Sequence, residues 1–590
     1  MKMKLKTYFS VALLGLVVGL FAACSGEDLA GNSKSKLPIE EVKGVHFAIN
    51  EPKLGAASRV SMGEDGKTNA KTRTYIKHTI GGGADAYWSD NDKVWVKDRH
   101  GDWKQSIATY VYNGGDRATF ILPGDESDYD DNCAVAYTLG GLNYTWALMP
   151  SVVIPHDQNQ VQPNDFSKAG EWGDCGVGKA KKKTGKFDFT LTHSPSYLCL
   201  LPRCTNANFG ANIELVGIKI NGGSMAGGSN HYLSGSGFEL HEDGVLDFGM
   251  GSPSGIGSYA TEIEATVNNF PLTNIATNIE TNGCYFVIKP GTRDLEITYT
   301  IKDKITGVKA DIKKELSNVI CNPGEVTDIT ADLNVTRVYT NKYYYWDADE
   351  PYDVGHGYES SLPTIPYGME GATSISSSFL PEDNRFYGNY GLGPGDDPRL
   401  GKGCWPGQQP GVVAETNFFN NNVPNVNEVL WYAFKGDPHW DETTPWVLHN
   451  HLYTGGMWFK KKSKICADEG ITESYMENGF IADQGDFAGR YNTYQDYGDN
   501  NVTFDNTAAS INTPLTNTTD YFFLPALGTY TLGLDGDYTK VWLNEVGKMG
   551  YYWTTSTTVW DLSIISFKIS KGKASVDFRG QGLGSVLKFQ

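Results

Sequence analysis

Apolar and polar residues alternate with a period of two through most of residues 75–337. Lys93-Val94-Trp95-Val96-Lys97 alternates, and so does Phe187-Asp188-Phe189-Thr190-Leu191-Thr192-His193. Ala108-Thr109-Tyr110-Val111-Tyr112, the turn Asn113-Gly114-Gly115-Asp116, and Arg117-Ala118-Thr119-Phe120-Ile121-Leu122 together predict a hairpin with a glycine-rich turn. Ile213 and Leu215, then Ile218 and Ile220, form two apolar pairs, each at a spacing of two. Leu295, Ile297, Tyr299 and Ile301 share one predicted strand face, and Ile329, Ala331, Leu333 and Val335 share another. Such patterns, bounded by Gly and Pro, predict half-buried strands of antiparallel sandwiches. The expected fold class is therefore mainly β. Two tandem antiparallel β-sandwich domains, 75–186 and 187–337, are followed by an α+β domain over 338–590. In that last part alternation weakens and loops lengthen. Pro424 to Gly436 predicts a short helix capped by Asn425 or Asn427 and stopped at Gly436.

Composition agrees with β structure. The chain has 590 residues, with Gly 68, Tyr 33 and Trp 14, a turn-rich and aromatic-rich mixture. At about 100–200 residues per domain, its length allows about three to five domains. Hydrophobic residues at 40% and charged residues at 20% permit packed cores and argue against general disorder. The formal charge of −19 argues against a phosphate-binding surface, so no nucleic-acid partner is expected. After the first 24 residues no apolar run is long enough to span a membrane.

The N-terminus carries a targeting pattern. Lys2, Lys4 and Lys6 precede the apolar run Val11 to Phe21, which ends in Ala22-Ala23-Cys24. Cys24 after Phe21-Ala22-Ala23 resembles a bacterial lipoprotein signal, with Phe21 in place of the usual Leu. The resemblance implies a signal peptide over 1–23, lipidation (palmitate included) of Cys24 and an outer-membrane anchor. The acidic Ser25-Gly26-Glu27-Asp28 is similar to surface-export signals of Bacteroidetes lipoproteins. The plain alternative is a secretory signal with a chance cysteine. Residues 24–74 are polar with little periodicity and read as a tether or pro-segment. It contains two basic sites expected to be exposed, Arg59 and Lys71-Thr72-Arg73-Thr74. Lys179, Lys181, Lys182 and Lys183 read as a solvated loop.

Cys133, Cys175, Cys199, Cys204, Cys284, Cys321, Cys404 and Cys466 contain no CxxC and no zinc spacing. Export would permit pairing, but their spacing does not say which partners.

Residues 75–337 resemble the fimbrillin-like pilin superfamily of Bacteroidetes, whose fold is two transthyretin-like β-sandwiches in tandem. The resemblance rests on five stretches in order. They are Lys71-Thr72-Arg73-Thr74, Tyr87-Trp88-Ser89-Asp90-Asn91-Asp92-Lys93-Val94, Pro150 to Gln160, Phe187 to His193, and Asn322-Pro323-Gly324-Glu325-Val326-Thr327-Asp328-Ile329. It implies a fimbrial subunit at the cell surface, with other pilin subunits as partners and no catalysis. It also implies protease processing after an Arg, matched here by Arg73 with Arg59 as the fallback. A groove opened by that cut would accept a strand from another subunit. The large domain after residue 337 departs from a stalk pilin and fits a tip or accessory subunit.

Residues from about 340 to 590 resemble C-type-lectin-like domains of the FISUMP type. The carrying stretches are Tyr521-Phe522-Phe523-Leu524-Pro525-Ala526-Leu527-Gly528, Gly550-Tyr551-Tyr552-Trp553-Thr554-Thr555-Ser556-Thr557 and Gly584-Ser585-Val586. Trp-Thr-Thr replaces the usual Trp-Ser-Ser, and Leu587 stands where Arg is expected. The implied partner is a glycan or a host surface protein.

Aromatic faces stack on sugars, and carboxylates supply directional hydrogen bonds. Candidate ligand-binding residues are therefore Trp405, Trp431, Trp440, Trp446 and Trp458 with Asp437 and Asp441, although core packing is the commoner fate of any single tryptophan. Trp553, inside a family motif, reads as structural. No cofactor is expected. Calcium is the ion that the acidic groups Asp347, Asp349, Glu350 and Asp353, Asp496 and Asp499, and Asp535 and Asp537 would suit, though none follows EF-hand spacing. His449 and His451 would share a face if they lay on one strand, with His439 nearby in sequence, but no third metal ligand is evident. GxSxG, HExxH and P-loop motifs are missing, so the expectation is a non-enzyme. The alternative functions are a non-pilus surface glycan-binding lipoprotein and, less favoured, an enzyme such as a glycosidase.

Overall fold

The computed structural model describes residues 42–50, 58–61, 76–139, 142–143, 149–223, 232–248, 259–339, 342–344, 346, 348, 351, 364, 366, 372–373, 414, 416–478, 504–532, 540–557, 564–579 and 584–585. The fold is mainly β. The N-terminal stretch supplies β1 (Val45–Asn50) and β2 (Ser58–Ser61), and a hairpin of β3 (Ile76–Thr79) and β4 (Gly83–Ala86) follows. Next come β5 (Val94–Lys97), β6 (Trp103–Gln105), β7 (Ala108–Tyr112), β8 (Arg117–Leu122) and β9 (Cys133–Tyr137). Then come β10 (Leu142–Asn143), β11 (Met149–Ile154), β12 (Gly176–Lys183), β13 (Lys186–Phe189) and β14 (Thr192–His193). The second half holds β15 (Ser196–Arg203), β16 (Ile213–Asn221), β17 (Ser234–Leu240), β18 (Leu246–Phe248), β19 (Tyr259–Ala260) and β20 (Glu262–Pro271). It ends with β21 (Cys284–Ile288), β22 (Gly291–Asp303), β23 (Lys309–Cys321) and β24 (Val326–Asp332).

The first sandwich is built on a sheet of order β6-β5-β9-β12-β13-β1-β8-β7, with β14 on β12. Period two sorts its side chains. Val94, Val96, Val135 and Tyr137 join Phe47, Phe120 and Phe187 in one core, while Trp95, Ala134 and Ala136 face a second. A sheet of order β10-β11-β17-β18, with β19 on β17, covers that second face and adds Val152, Ile154, Phe238 and Leu240. The β7–β8 hairpin turns through Asn113, Gly114 and Gly115 at φ 53°, 68° and 106°, which explains the turn composition.

The second sandwich packs β2-β24-β15-β21 against β20-β16-β22-β23. Leu198, Leu200, Ile218, Ile220, Leu295, Ile297, Tyr299, Ile301, Ile329 and Ala331 form its core. The two apolar pairs of β16 fall out of phase because the register shifts between Leu215 and Gly217, where one extra residue flips the alternation. Most pairing is antiparallel. β1 with β13, β15 with β24 and β2 with β24 are parallel, between segments too distant in sequence to form hairpins.

Several boundaries move. The 24–74 segment is more than a tether, because β1 is an interior strand and Phe47 is fully buried. Phe187 to Phe189 lies in β13, which pairs with β1 and β12, so this strand closes the first sandwich instead of opening the second. Lys179 to Lys183 lies in strand β12 and not in a loop; its lysines largely face solvent while Ala180 is buried. Cys133, Cys175, Cys199, Cys204, Cys284, Cys321 and Cys466 are buried free thiols; Cys404 lies outside the described residues.

Beyond residue 338 a six-stranded sheet runs in the order Tyr343–Tyr344, Gly584–Ser585, Met549–Thr557, Ile564–Ser570, Lys573–Arg579 and Phe504–Asn506. The helix Val426–Lys435 buries Val429, Tyr432 and Ala433 against Ile565, Phe567 and Val576. Asn425 caps it, reciprocated by Glu428, and it stops at Gly436. Trp553 is buried and donates its Nε1–H to Tyr344 O. The hairpin Trp446–Leu448/His451–Tyr453 joins the second sandwich to this domain. Trp446, Leu448 and Tyr453 face the C-terminal core, whereas Val447 and Leu452 enter the core of the second sandwich.

Candidate functional site

One short stretch of chain, residues 45–61, completes both sandwiches. β1 is inserted between β8 and β13. It runs antiparallel to β8 from Val45 opposite Leu122 to Asn50 opposite Arg117, and parallel to β13 with Phe47 opposite Phe187. Val45, Phe47 and Ile49 are the buried alternates, and Phe47 meets Phe187 face to face and Tyr129 edge-on. β2 then forms the edge of the second sandwich, parallel to β24, with Ser58, Arg59, Val60 and Ser61 opposite Thr327, Asp328, Ile329 and Thr330. Without this stretch the first sheet would have a gap between β8 and β13, and β24 would be a bare edge with free N–H and C=O groups.

The β3–β4 hairpin that follows lies on the outer face of the β24-β15-β21 layer. Ile76, Ile80, Ala84 and Ala86 pack with Tyr197, Cys199, Leu201, Tyr285, Val287 and Val326. It is pinned by a buried polar contact: His78 Nε2 lies 2.6 Å from Asp328 Oδ1, Gly81 N–H donates to Asp328 Oδ2 at 2.6 Å, and His78 Nδ1 meets Gly83 O at 3.0 Å. A carbonyl only accepts, so the contact with Gly83 O uses Nδ1 as the donor. Cys199 is close to this pair; the donor atoms of His78, Cys199 and Asp328 lie within 4.8 Å of one another. Nitrogen, sulfur and oxygen together would suit a transition ion and not calcium. His156, Asp157 and Glu264 form the other such group among the described residues, at the surface.

The predicted site residues fall in different places. Cys24, Arg73 and Trp405 lie outside the described residues. Arg59 lies in β2, with its backbone in the ladder. Trp431, Trp440, Trp446 and Trp458 are all buried, Trp446 completely. A ring enclosed by core neighbours has no free face for a sugar, so these four do not form the expected stacking surface. Trp446 stacks on Tyr453 and donates to Gly455 O at 3.0 Å, while the Arg337 guanidinium sits over Trp458. Asp441 accepts from Thr443, from Thr444 and from Trp458 Nε1. Burial would raise this carboxyl, but those hydrogen bonds outweigh it and hold the pKa at about 2. Asp437 accepts from Tyr521 OH and faces His439 at 3.5 Å. The acidic groups around 347–353, 496–499 and 535–537 also lie outside the described residues.

His449 and His451 do not share a strand face. His449-Asn450 is the two-residue turn of the joining hairpin, with φ 52° and 64°, the type I′ signature. His449 Nε2 approaches Tyr530 OH at 3.4 Å, and burial, then the neighbouring His451, lowers its pKa to about 4. His451 Nδ1 instead meets the fully buried Asp303 at 3.1 Å. Asp303 also receives the amides of Leu452, Ile305 and Thr306. Burial opposes its ionisation, but these donors prevail and lower its pKa.

Sequence reading missed β1, β2 and the His78–Asp328 contact. The alternation of Val45, Phe47 and Ile49 is the local signal for β1. The other two join residues about 250 positions apart and leave no local trace.

No family model matches the chain, and no curated protein matches it. Solved structures similar to it are candidate cell-adhesion and fimbrial proteins of Bacteroides. One, a candidate cell-adhesion protein of Bacteroides fragilis, is 9% identical at a TM-score of 0.25, covering 50% of this chain and 94% of its own. Another, of Bacteroides ovatus, is 11% identical at a TM-score of 0.28, covering 49% and 92%. A fimbrial protein of Bacteroides ovatus is 12% identical at a TM-score of 0.20, covering 55% and 57%. At these scores neither fold nor function passes from those proteins to this chain.

Proposed function

We propose that this protein is a non-catalytic, cell-surface pilus subunit, at a tip or accessory position, assembled by β-strand addition. The carrying observation is that residues 45–61 place one strand in each sandwich, so a single cut downstream would free both strands together. The place they leave is one that an extended segment of another subunit can fill with main-chain hydrogen bonds. Arg73 suits the cut better than Arg59. A cut at Arg59 falls within a paired strand, whereas Arg73 lies between Ser61 and Ile76 and would leave the pinned β3–β4 hairpin on the mature chain. In this reading Cys24 carries the lipid that holds the precursor at the outer membrane, and the 338–590 domain presents a lectin-like surface to a glycan or host protein.

The test is the N-terminal sequence and mass of the protein from the cell envelope, for the native chain and for Arg73→Ala. A native chain beginning at Thr74, with an unprocessed and unincorporated variant, supports the reading. Equal processing and equal filament content in both would sink it.

A second reading is a non-pilus glycan-binding lipoprotein that keeps its N-terminus. The interior position of β1 favours it, because Phe47 would leave a large hole. In that case the envelope protein begins at lipidated Cys24.

A further inference from the structure

The edges of the second sandwich are β2 and β21 on one sheet and β20 and β23 on the other. β2 covers β24. β23 is lined with exposed Lys309, Asp311, Lys313 and Glu315, charges that discourage a partner strand. The remaining edges, β20 and β21, are both closed by residues 156–160.

Toward β20 this segment acts as backbone. Glu264 N–H donates to His156 O at 2.9 Å, Gln158 N–H to Glu264 O at 2.8 Å, and Gln160 N–H to Thr266 O at 3.2 Å. Asn159 Oδ1 takes the Thr266 N–H at 2.7 Å. Toward β21 it acts through two side chains. Gln158 Oε1 accepts the Val287 N–H at 2.8 Å, and its Nε2 donates to Val287 O at 2.8 Å. Gln160 Oε1 accepts the Tyr285 N–H at 3.0 Å, and its Nε2 donates to Gly283 O at 2.8 Å. The second Nε2 hydrogens go to Pro155 O and Gln162 O. Both glutamines are buried, at 0% and 4% exposure.

A carboxamide has the same donor and acceptor as a peptide unit. Two of them, two residues apart, match the outward groups of a strand, which recur every second residue. The inward groups of β21 pair with β15, where Leu198 is opposite Phe286 and Leu200 opposite Cys284.

We propose that Gln158 and Gln160 are an edge seal: they mimic a neighbouring strand along β21 so that a strand from a second copy of this chain cannot add there. The seal complements the strand-addition reading, because it leaves the β24 edge as the place that processing opens. It rests on that reading only for its purpose, and it is tested on the uncleaved chain with β2 in place. Failure of the Arg73→Ala experiment would leave it standing, and the reverse also holds.

The experiment measures hydrogen exchange of the Tyr285 and Val287 amides and sedimentation velocity over a range of concentrations. It compares the full native chain, the single variants Gln158→Ala and Gln160→Ala, and the double variant. Gln160→Ala should lower protection at Tyr285 by about tenfold or more while sparing Val287, and Gln158→Ala should do the reverse (the energy of one lost bond, at about 1.4 kcal/mol per tenfold). The Phe286 amide should be unchanged in both. The double variant should lose both protections and self-associate, whereas the native chain stays monomeric. If the double variant does not fold, the two single variants decide by their site-selective pattern. Retained protection, equal loss at both amides in each single variant, or a folded double variant that bares the edge without associating would each overturn the proposal.

Discussion

Phe47 lies flat on Phe187, with ring centroids 4.5 Å apart and planes within 6°. The two residues belong to strands that run parallel and come from opposite ends of the first sandwich in sequence. The contact welds the N-terminal stretch into the domain. Truncation of Phe47 removes a fully buried ring from a tight core. Phe47→Ala should therefore cost about 3–5 kcal/mol, read as a lowered urea midpoint for the first sandwich. A loss under about 1 kcal/mol would mean that β1 contributes little to the packed fold.

The β3–β4 hairpin depends on His78 and Asp328. Asp328→Ala strands a buried imidazole and the Gly81 amide, so a loss of about 3–5 kcal/mol is expected. Replacing both members, as in His78→Leu with Asp328→Leu, should recover part of that loss. A double-mutant cycle in chemical denaturation gives the coupling, expected to exceed about 1 kcal/mol. Additive single effects would show that the contact does not act as a unit.

Acid should weaken the protein in two successive windows. His449 has its pKa lowered from 6.5 to about 4, so the unfolded chain takes up the proton first. Its neutral form stabilises the fold above pH 6.5, and this contribution falls away between about pH 6.5 and 4, by no more than about 3 kcal/mol. Asp441 is lowered from 3.8 to about 2, so the stability of its ionised form is present above 3.8 and is lost as pH falls toward 2. Thermal melts from pH 7 to 3 should show the first decline, and His449→Asn should flatten it. Asn tolerates the positive φ of that turn position.

The joining hairpin should behave as part of two domains. Leu452→Ala opens a cavity in the second sandwich, although its chain position is in the C-terminal domain. A loss of about 2–5 kcal/mol is expected, with faster proteolysis at the 338–339 junction. Unchanged proteolysis there would mean that Leu452 does not hold the junction.

The same hairpin shows where sequence reading stops. Trp446-Val447-Leu448 is apolar throughout, because its alternate residues face two different cores. A strand buried on both faces loses its alternation. His449 and His451 have the spacing of a shared strand face, but the condition is not met, because His449 and Asn450 form a turn. Among the described residues, Trp431, Trp440, Trp446 and Trp458 followed the commonest fate of a tryptophan and packed inward, so these four form no aromatic face.

Local chemistry was enough to determine the strands of β7 and β8 with their glycine turn, the inward face of β22, and the Asn425-to-Gly436 helix. Each depends on contacts within a few residues, through side-chain period, backbone φ or a cap. Only the tertiary structure decided that β1 fills a gap in the first sheet, that β2 borders β24, that His78 meets Asp328, and that two glutamines close β21. Strand pairing is made by main-chain groups that every residue carries. Its partners can therefore lie hundreds of residues apart without marking the sequence at either end.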